Sequence, residues 1–207
     1  MKKIYLIYIL VFILATGLVT ANAQQGEVRM TASLAGAVPI GDLKDLTDNT
    51  TLRGADINIL YGFTDRFSGG LNLGFQDFYQ KFPRALYKLE DGSDISAVIT
   101  NSIQTIPFLA TGRFNFQPGA TVQPYASAGL GGAVVVNKQF VGEYPNEDTK
   151  IRFAVRPGLG VYIPFRKQGE VGLNLGVNYT YVGYKLGNTS NLSFVGFNIG
   201  IGFPMRD

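Results

Sequence analysis

The chain contains no histidine and no cysteine, so any chemistry it performs rests on carboxylates, arginines, hydroxyls and amides. Without histidine it lacks the usual general base and the commonest metal ligand. Without cysteine it has no disulfide, no thiolate metal site and no lipid-accepting residue. The acids Asp45, Asp48, Glu90, Asp91, Asp94, Glu147 and Asp148 fall in polar connecting stretches, where scattered charge is ordinarily solvated. Gly129-Leu130-Gly131-Gly132 is no nucleotide-binding turn, because it lies inside a strand-like stretch and no helix follows. The chain therefore reads as a non-enzyme with no cofactor. One charged set stands apart: Glu27, Arg29, Asp56, Arg113, Arg152 and Arg156 sit at alternate positions inside otherwise apolar segments. Charges placed that way either pair with one another in an interior or form a cationic selectivity zone for anions.

The elements that position them are strands. Ile151, Phe153, Val155, Leu159, Val161, Ile163 and Phe165 alternate with Arg152, Ala154, Arg156, Gly158, Gly160 and Tyr162. Side chains on a strand change face with period two, so this segment has one apolar face and one small or polar face. Val171–Tyr184 repeats the pattern, setting Leu173, Leu175 and Val177 against Asn174, Gly176 and Asn178. The stretches beginning near Val28, Gly54, Gly70 and Thr105, and the last from Val195 to Phe203, do likewise. Val122–Val136 has Gly and Ala on both faces and is the least marked.

Connections at Thr64–Arg66, Gln117–Thr121 and Arg166–Glu170 are short, whereas those near 38–51, 80–99, 137–150 and 185–191 are long or polar. The two kinds alternate strictly. That rhythm predicts an all-β, eight-stranded antiparallel up-and-down barrel with both chain ends on the short-turn side.

Two features choose lipid rather than water outside. The face opposite the apolar one carries arginine, aspartate and asparagine rather than the Lys and Glu of a soluble surface. Tyr61, Phe63, Phe67, Phe114, Phe116, Phe165 and Phe203 all fall on the apolar face beside a short turn or the C-terminus. Such a belt is an aromatic girdle at one membrane interface, here the periplasmic one. An open sheet edge in hydrocarbon would strand its amides, so the last strand must close on the first.

Residues 1–23 read as a cleavable export signal. Lys2 and Lys3 precede an apolar run from Ile4 to Val19, and Ala21-Asn22-Ala23 is a small-x-small cleavage pattern. Residues 24–207 then form the barrel domain. Setting aside Lys2 and Lys3 leaves 16 basic residues against 15 acidic ones, a near-neutral balance that points away from nucleic acid.

Three motifs carry a family resemblance. Ala35-Gly36-Ala37-Val38-Pro39-Ile40-Gly41-Asp42-Leu43 closes the first strand. Ser102-Ile103-Gln104-Thr105-Ile106-Pro107-Phe108-Leu109 opens the fourth, and Gln123-Pro124-Tyr125-Ala126 through Gly129-Leu130-Gly131 forms the fifth. These resemble the outer-membrane β-barrel domain common in Bacteroidota, similar in architecture to small OmpA- and OmpX-type barrels and often labelled a porin family. The resemblance spans essentially the whole mature chain. It implies residence in the outer membrane among lipid and lipopolysaccharide, with both termini periplasmic. It also implies insertion by the barrel-assembly machinery, for which Phe203 is the aromatic signal of the final strand, although Pro204-Met205-Arg206-Asp207 follow it.

Two functions remain open. Eight strands enclose an interior that side chains can fill, whereas open channels use about sixteen or more. The first expectation is a structural and surface-interaction scaffold with a filled lumen and external binding loops of unknown ligand. The alternative is a narrow porin-like channel for small solutes or ions. For the filled lumen, Glu27 is expected to meet Arg29 or Arg113, and Asp56 to reach Arg152 or Arg156.

Overall fold

The last strand of the chain lies beside the first and closes a barrel. The computed structural model describes residues 26–81, 85–88, 94–97, 99–141, 144–165, 171–184 and 191–205. The expected export signal lies outside the described residues. The strands are β1 (Val28–Ile40), β2 (Thr51–Gly62), β3 (Phe67–Lys81), β4 (Ala85–Lys88), β5 (Asp94–Ala97), β6 (Ile99–Asn115), β7 (Gln123–Val141), β8 (Tyr144–Pro164), β9 (Gly172–Val182) and β10 (Leu192–Met205). One short helix, α1 (Asp42–Leu46), follows β1. The closed barrel runs β1-β10-β9-β8-β7-β6-β3-β2, every pair antiparallel, and β4 and β5 form a separate hairpin between β3 and β6.

Closure is continuous: β1 pairs with β10 from Val28↔Met205 to Ile40↔Ser193. On its other side β1 pairs with β2 from Val28↔Tyr61, with a register shift between Ala35 and Ala37. At one end the connections are tight. In the β2–β3 turn, Phe63 N donates to Phe67 O at 3.0 Å, and Phe67 N donates to Thr64 Oγ1 at 2.9 Å. In the β6–β7 turn Gly119 takes φ 79°, a left-handed conformation that glycine adopts without a Cβ penalty. The other end carries α1, the β4–β5 hairpin and the β7–β8 hairpin.

One segment differs from the sequence expectation. Residues 137–150 do not form a long loop, because β7 and β8 stay paired to Val141↔Tyr144. Polar side chains do not interrupt a ladder that is built from backbone hydrogen bonds. The stretch rich in Gly and Ala is fully paired on both sides as β7, because its neighbours supply the bulk that it lacks.

The faces are the inverse of a soluble protein's. Leu34, Leu71, Ile151 and Leu159 point outward and are each more than 60% exposed. Thr31, Asp56, Asn72, Thr105, Arg113, Asn174 and Thr180 point inward and are buried. A broad exposed apolar belt around a polar interior is the solution that a closed sheet adopts in lipid.

Candidate functional site

Strand parity directs one set of side chains into the lumen, and the strands stack them in three levels. At the end with the tight turns, Arg29 Nη2 donates to Glu27 Oε2 at 3.3 Å. The same guanidinium lies over the Tyr162 ring, 4.8 Å from its centroid, and Tyr162 Oη donates to the Gly202 carbonyl at 3.3 Å. Deeper in, the Arg113 guanidinium lies 3.7 Å from the Tyr125 ring centroid and donates to Asn174 Oδ1 at 3.2 Å. These inward tyrosines need room. Gly160 faces the Tyr125 ring and Gly172 faces the Tyr162 ring, so closely that a Cβ at either would overlap it.

The middle level is a polar cluster around Asp56. Arg156 Nη1 donates to Asp56 Oδ2 at 2.7 Å and to Asn72 Oδ1 at 3.0 Å, and Arg156 Nε donates to Thr180 Oγ1 at 2.9 Å. Asn58 and Asn72 each donate an amide hydrogen to Asp56 Oδ1, at 2.7 and 2.8 Å. Both oxygens of the carboxylate are therefore occupied, one by the guanidinium and the other by two amides. A buried ion pair needs its remaining lone pairs and protons satisfied, and here the carboxylate is fully engaged while the guanidinium is held through Nε and Nη1. Beside this cluster is a cavity of about 40 Å³, lined by Asp56, Asn58, Asn72, Arg113, Arg156 and Asn178 among others. At ~10–15 Å³ each, that volume corresponds to about three waters.

The third level, at the loop end, is apolar. Phe78, Ile103, Val135, Val182, Leu192 and Phe194 turn inward and bury one another, and Phe78 meets Phe194 edge to face at 5.1 Å. Helix α1 folds over them and inserts Leu43, which is fully buried, with Leu46 packed against the cluster. Tyr184 closes the side of this cap, and its hydroxyl lies 3.5 Å from Asp148 Oδ2. Burial first, and the Asp148 carboxylate second, push this phenol above the ordinary tyrosine range, while Arg152 opposes them.

Of the six lumen charges read from the sequence, Glu27 meets Arg29 and Asp56 meets Arg156. Arg113 contacts neutral partners and lines the cavities on both sides of it. Arg152 is half-buried near the cap, within electrostatic reach of Tyr184. The aromatic belt lies at the turn end. Tyr61, Phe63, Phe67, Phe114, Phe116 and Phe165 are exposed, and Phe203 is half-buried. Tyr61 meets Phe63 at 5.2 Å, Phe63 stacks on Phe67 at 5.9 Å, and Phe114 meets Phe116 at 5.4 Å. The apolar cap was not anticipated. Its signal was available, since Phe78, Ile103, Val135 and Phe194 share the inward parity and all lie next to long connections.

A closed eight-stranded barrel with an apolar exterior, a polar centre and an apolar cap defines a transmembrane barrel of the outer-membrane kind. The chain belongs to the outer membrane protein beta-barrel domain family, whose model matches residues 9–203. It is an integral outer-membrane protein. Among solved structures it is similar to Neisserial surface protein A, with a TM-score of 0.53 and 15% identity over 86% of this chain and 96% of that one. It is also similar to Ail, the attachment invasion locus protein of Yersinia pestis, solved in complex with the heparin analogue sucrose octasulfate. There the TM-score is 0.51, with 14% identity over 87% of this chain and 99% of that one. No curated protein sequence matches the chain.

Proposed function

We propose that this barrel is a surface-interaction scaffold with a plugged lumen rather than a channel. One observation carries the reading: two unlike barriers lie in series along the axis. The Arg156–Asp56 cluster crosses the middle, and the cap of Phe78, Phe194 and Leu43 lies beyond it. A permeating ion would have to displace a satisfied buried ion pair and then cross a dry apolar layer. With the lumen closed, the loop end is the part left to act. Loops on rigid scaffolds generally carry binding, and Ail, a barrel of the same fold, has been solved with a sulfated sugar analogue.

The same proposal assigns the remaining parts. Residues 1–23 are removed on export, and residues 24–207 insert in the outer membrane of a Bacteroidota cell. Both termini and the belt of Tyr61, Phe63, Phe67, Phe114, Phe116, Phe165 and Phe203 sit at the periplasmic interface, among the lipids of the inner leaflet. The long loops meet lipopolysaccharide and the exterior. Phe203 is the signal read by the barrel-assembly machinery. The chain has no catalytic role, in keeping with a sequence devoid of histidine and cysteine.

The test is electrical and mechanical. The protein reconstituted in planar bilayers gives no steady unitary conductance and leaves sugar-loaded liposomes unswollen. It still migrates faster unboiled than boiled on a denaturing gel. A stable unitary conductance in the wild type would overturn the plug and favour the narrow channel.

A further inference from the structure

A second cavity, of about 30 Å³, lies at the turn end of the lumen and is lined by Glu27, Arg29, Ser68, Arg113 and Asn115, with Leu60 and Gly62. Its charges do not balance. Two guanidiniums face it, within electrostatic reach of each other, against one carboxylate. Glu27 is already engaged by Arg29 Nη2. Arg113 is 7% exposed, and its contacts are the neutral Tyr125 ring and the Asn174 amide oxygen. The Nε atoms of both Arg29 and Arg113 are buried with no hydrogen-bond partner. Arginine keeps its charge under these conditions, so the lining holds about one uncompensated positive charge. An isolated buried charge is costly, and unsatisfied buried donors add to that cost.

We infer that this cavity is a binding site for a single small monovalent anion of the halide class, held between Arg113 and Arg29. The Ser68 hydroxyl and the Asn115 amide, on the same lining, supply neutral donors. Size and charge both limit the occupant. The volume takes about two waters at ~10–15 Å³ each, or one halide ion in their place. One negative charge neutralises the lining, whereas a divalent anion would overcompensate it beside Glu27. The Arg156–Asp56 cluster offers no equivalent site, because its two charges are matched at 2.7 Å. The apolar cap blocks the loop end, so the anion enters from the turn end and stays as a lumenal counter-ion.

The experiment compares anions at constant ionic strength. The refolded full barrel in detergent micelles is heated in sodium chloride, bromide, sulfate or gluconate, and loss of the fast-migrating band is followed. Chloride at about five times its dissociation constant raises the midpoint by roughly 2–4 °C over gluconate, and bromide does the same. Sulfate gives no more than gluconate. Arg113→Gln and Arg29→Gln abolish the difference between chloride and gluconate, whereas Arg53→Gln, an exposed cation at the loop end, retains it. Should the lumen variants fail to refold, bromide-soaked wild-type crystals decide by anomalous scattering, with a peak between Arg29 and Arg113. Equal midpoints in chloride and gluconate, an unchanged chloride response in Arg113→Gln, a strongest response to sulfate, or bromide only at other positions would each overturn the site.

Discussion

Arg156 Nη1 donates to Asp56 Oδ2 at 2.7 Å across the lumen, joining residues 100 positions apart in the chain. The pair ties β2 to β8, which are not neighbours in the barrel, and Asn72 on β3 bridges it by contacting both partners. It is thus a cross-brace on the nearest-neighbour ladders, as the Arg113–Asn174 hydrogen bond is between β6 and β9.

Removing one end of that brace is expected to cost more than removing both. Asp56→Ala leaves a guanidinium uncompensated in a buried site and should destabilise the barrel by about 3–5 kcal/mol. Replacing the pair together, as Asp56→Leu with Arg156→Met, should recover most of that loss, since matched apolar groups carry no desolvation penalty. Urea titrations followed by gel mobility in detergent give both numbers. A double variant as weak as Asp56→Ala would show that the pair is not energetically coupled.

The cap should be separable from the brace. Leu43→Ala removes the helix side chain that fills it and should cost about 2–5 kcal/mol, and Phe78→Ala about 3–5. Either alone leaves the Arg156–Asp56 cluster across the axis, so bilayer conductance should stay near background. Combined with Asp56→Ala, the cap variants should conduct. A conducting Leu43→Ala single variant would mean that the polar level does not obstruct the lumen.

Most of the barrel was legible because period-two alternation encodes which side of a sheet is which, and tight turns encode how strands connect. Leu175 and Asn174 are adjacent in sequence and part to opposite faces for that reason alone. The partner of Asp56 was narrowed to two arginines by parity and height along the strands. Choosing Arg156 over Arg152 depends on shear, which no single strand records. The apolar cap was less visible, because Phe78, Val135 and Phe194 had to be counted by end of the barrel rather than by strand. The bridging role of Asn72 was not readable either, since an inward amide has many possible partners until three strands are brought together.

The outward face should tolerate no charge. Ile199 and Leu175 are direct cross-strand partners on β10 and β9 and point away from the lumen. Ile199→Arg or Leu175→Arg should each cost about 2–4 kcal/mol if near the bilayer midplane. Thr121→Arg, in the exposed β6–β7 turn, should change stability by less than about 0.5 kcal/mol. Folding into lipid vesicles with urea as denaturant measures all three, and a cost at Thr121 equal to that at Ile199 would show that the loss does not depend on burial in lipid.

Two glycines on neighbouring strands should respond in opposite ways to a single methyl group. Gly70 faces inward on β3, and a Cβ there would run into the Ile59 carbonyl, with the Leu60 Cα only 3.0 Å away. Both obstacles are backbone atoms of the adjoining strand, so no rotamer change relieves the overlap and the ladder itself must shift. Gly112 faces outward on β6, where the nearest atoms to a new Cβ belong to the Phe67 ring at 3.7 Å, an ordinary contact distance. Alanine at Gly112 would cover part of that ring and restrict the unfolded chain, two favourable effects. Gly70→Ala should therefore destabilise the barrel by about 1–3 kcal/mol or slow its insertion. Gly112→Ala should be neutral or stabilising by up to about 1 kcal/mol. Equilibrium unfolding of the two variants in the same detergent checks the contrast. Equal losses at both positions would mean that glycine is required here for chain flexibility during assembly, not for the close approach of β2 and β3.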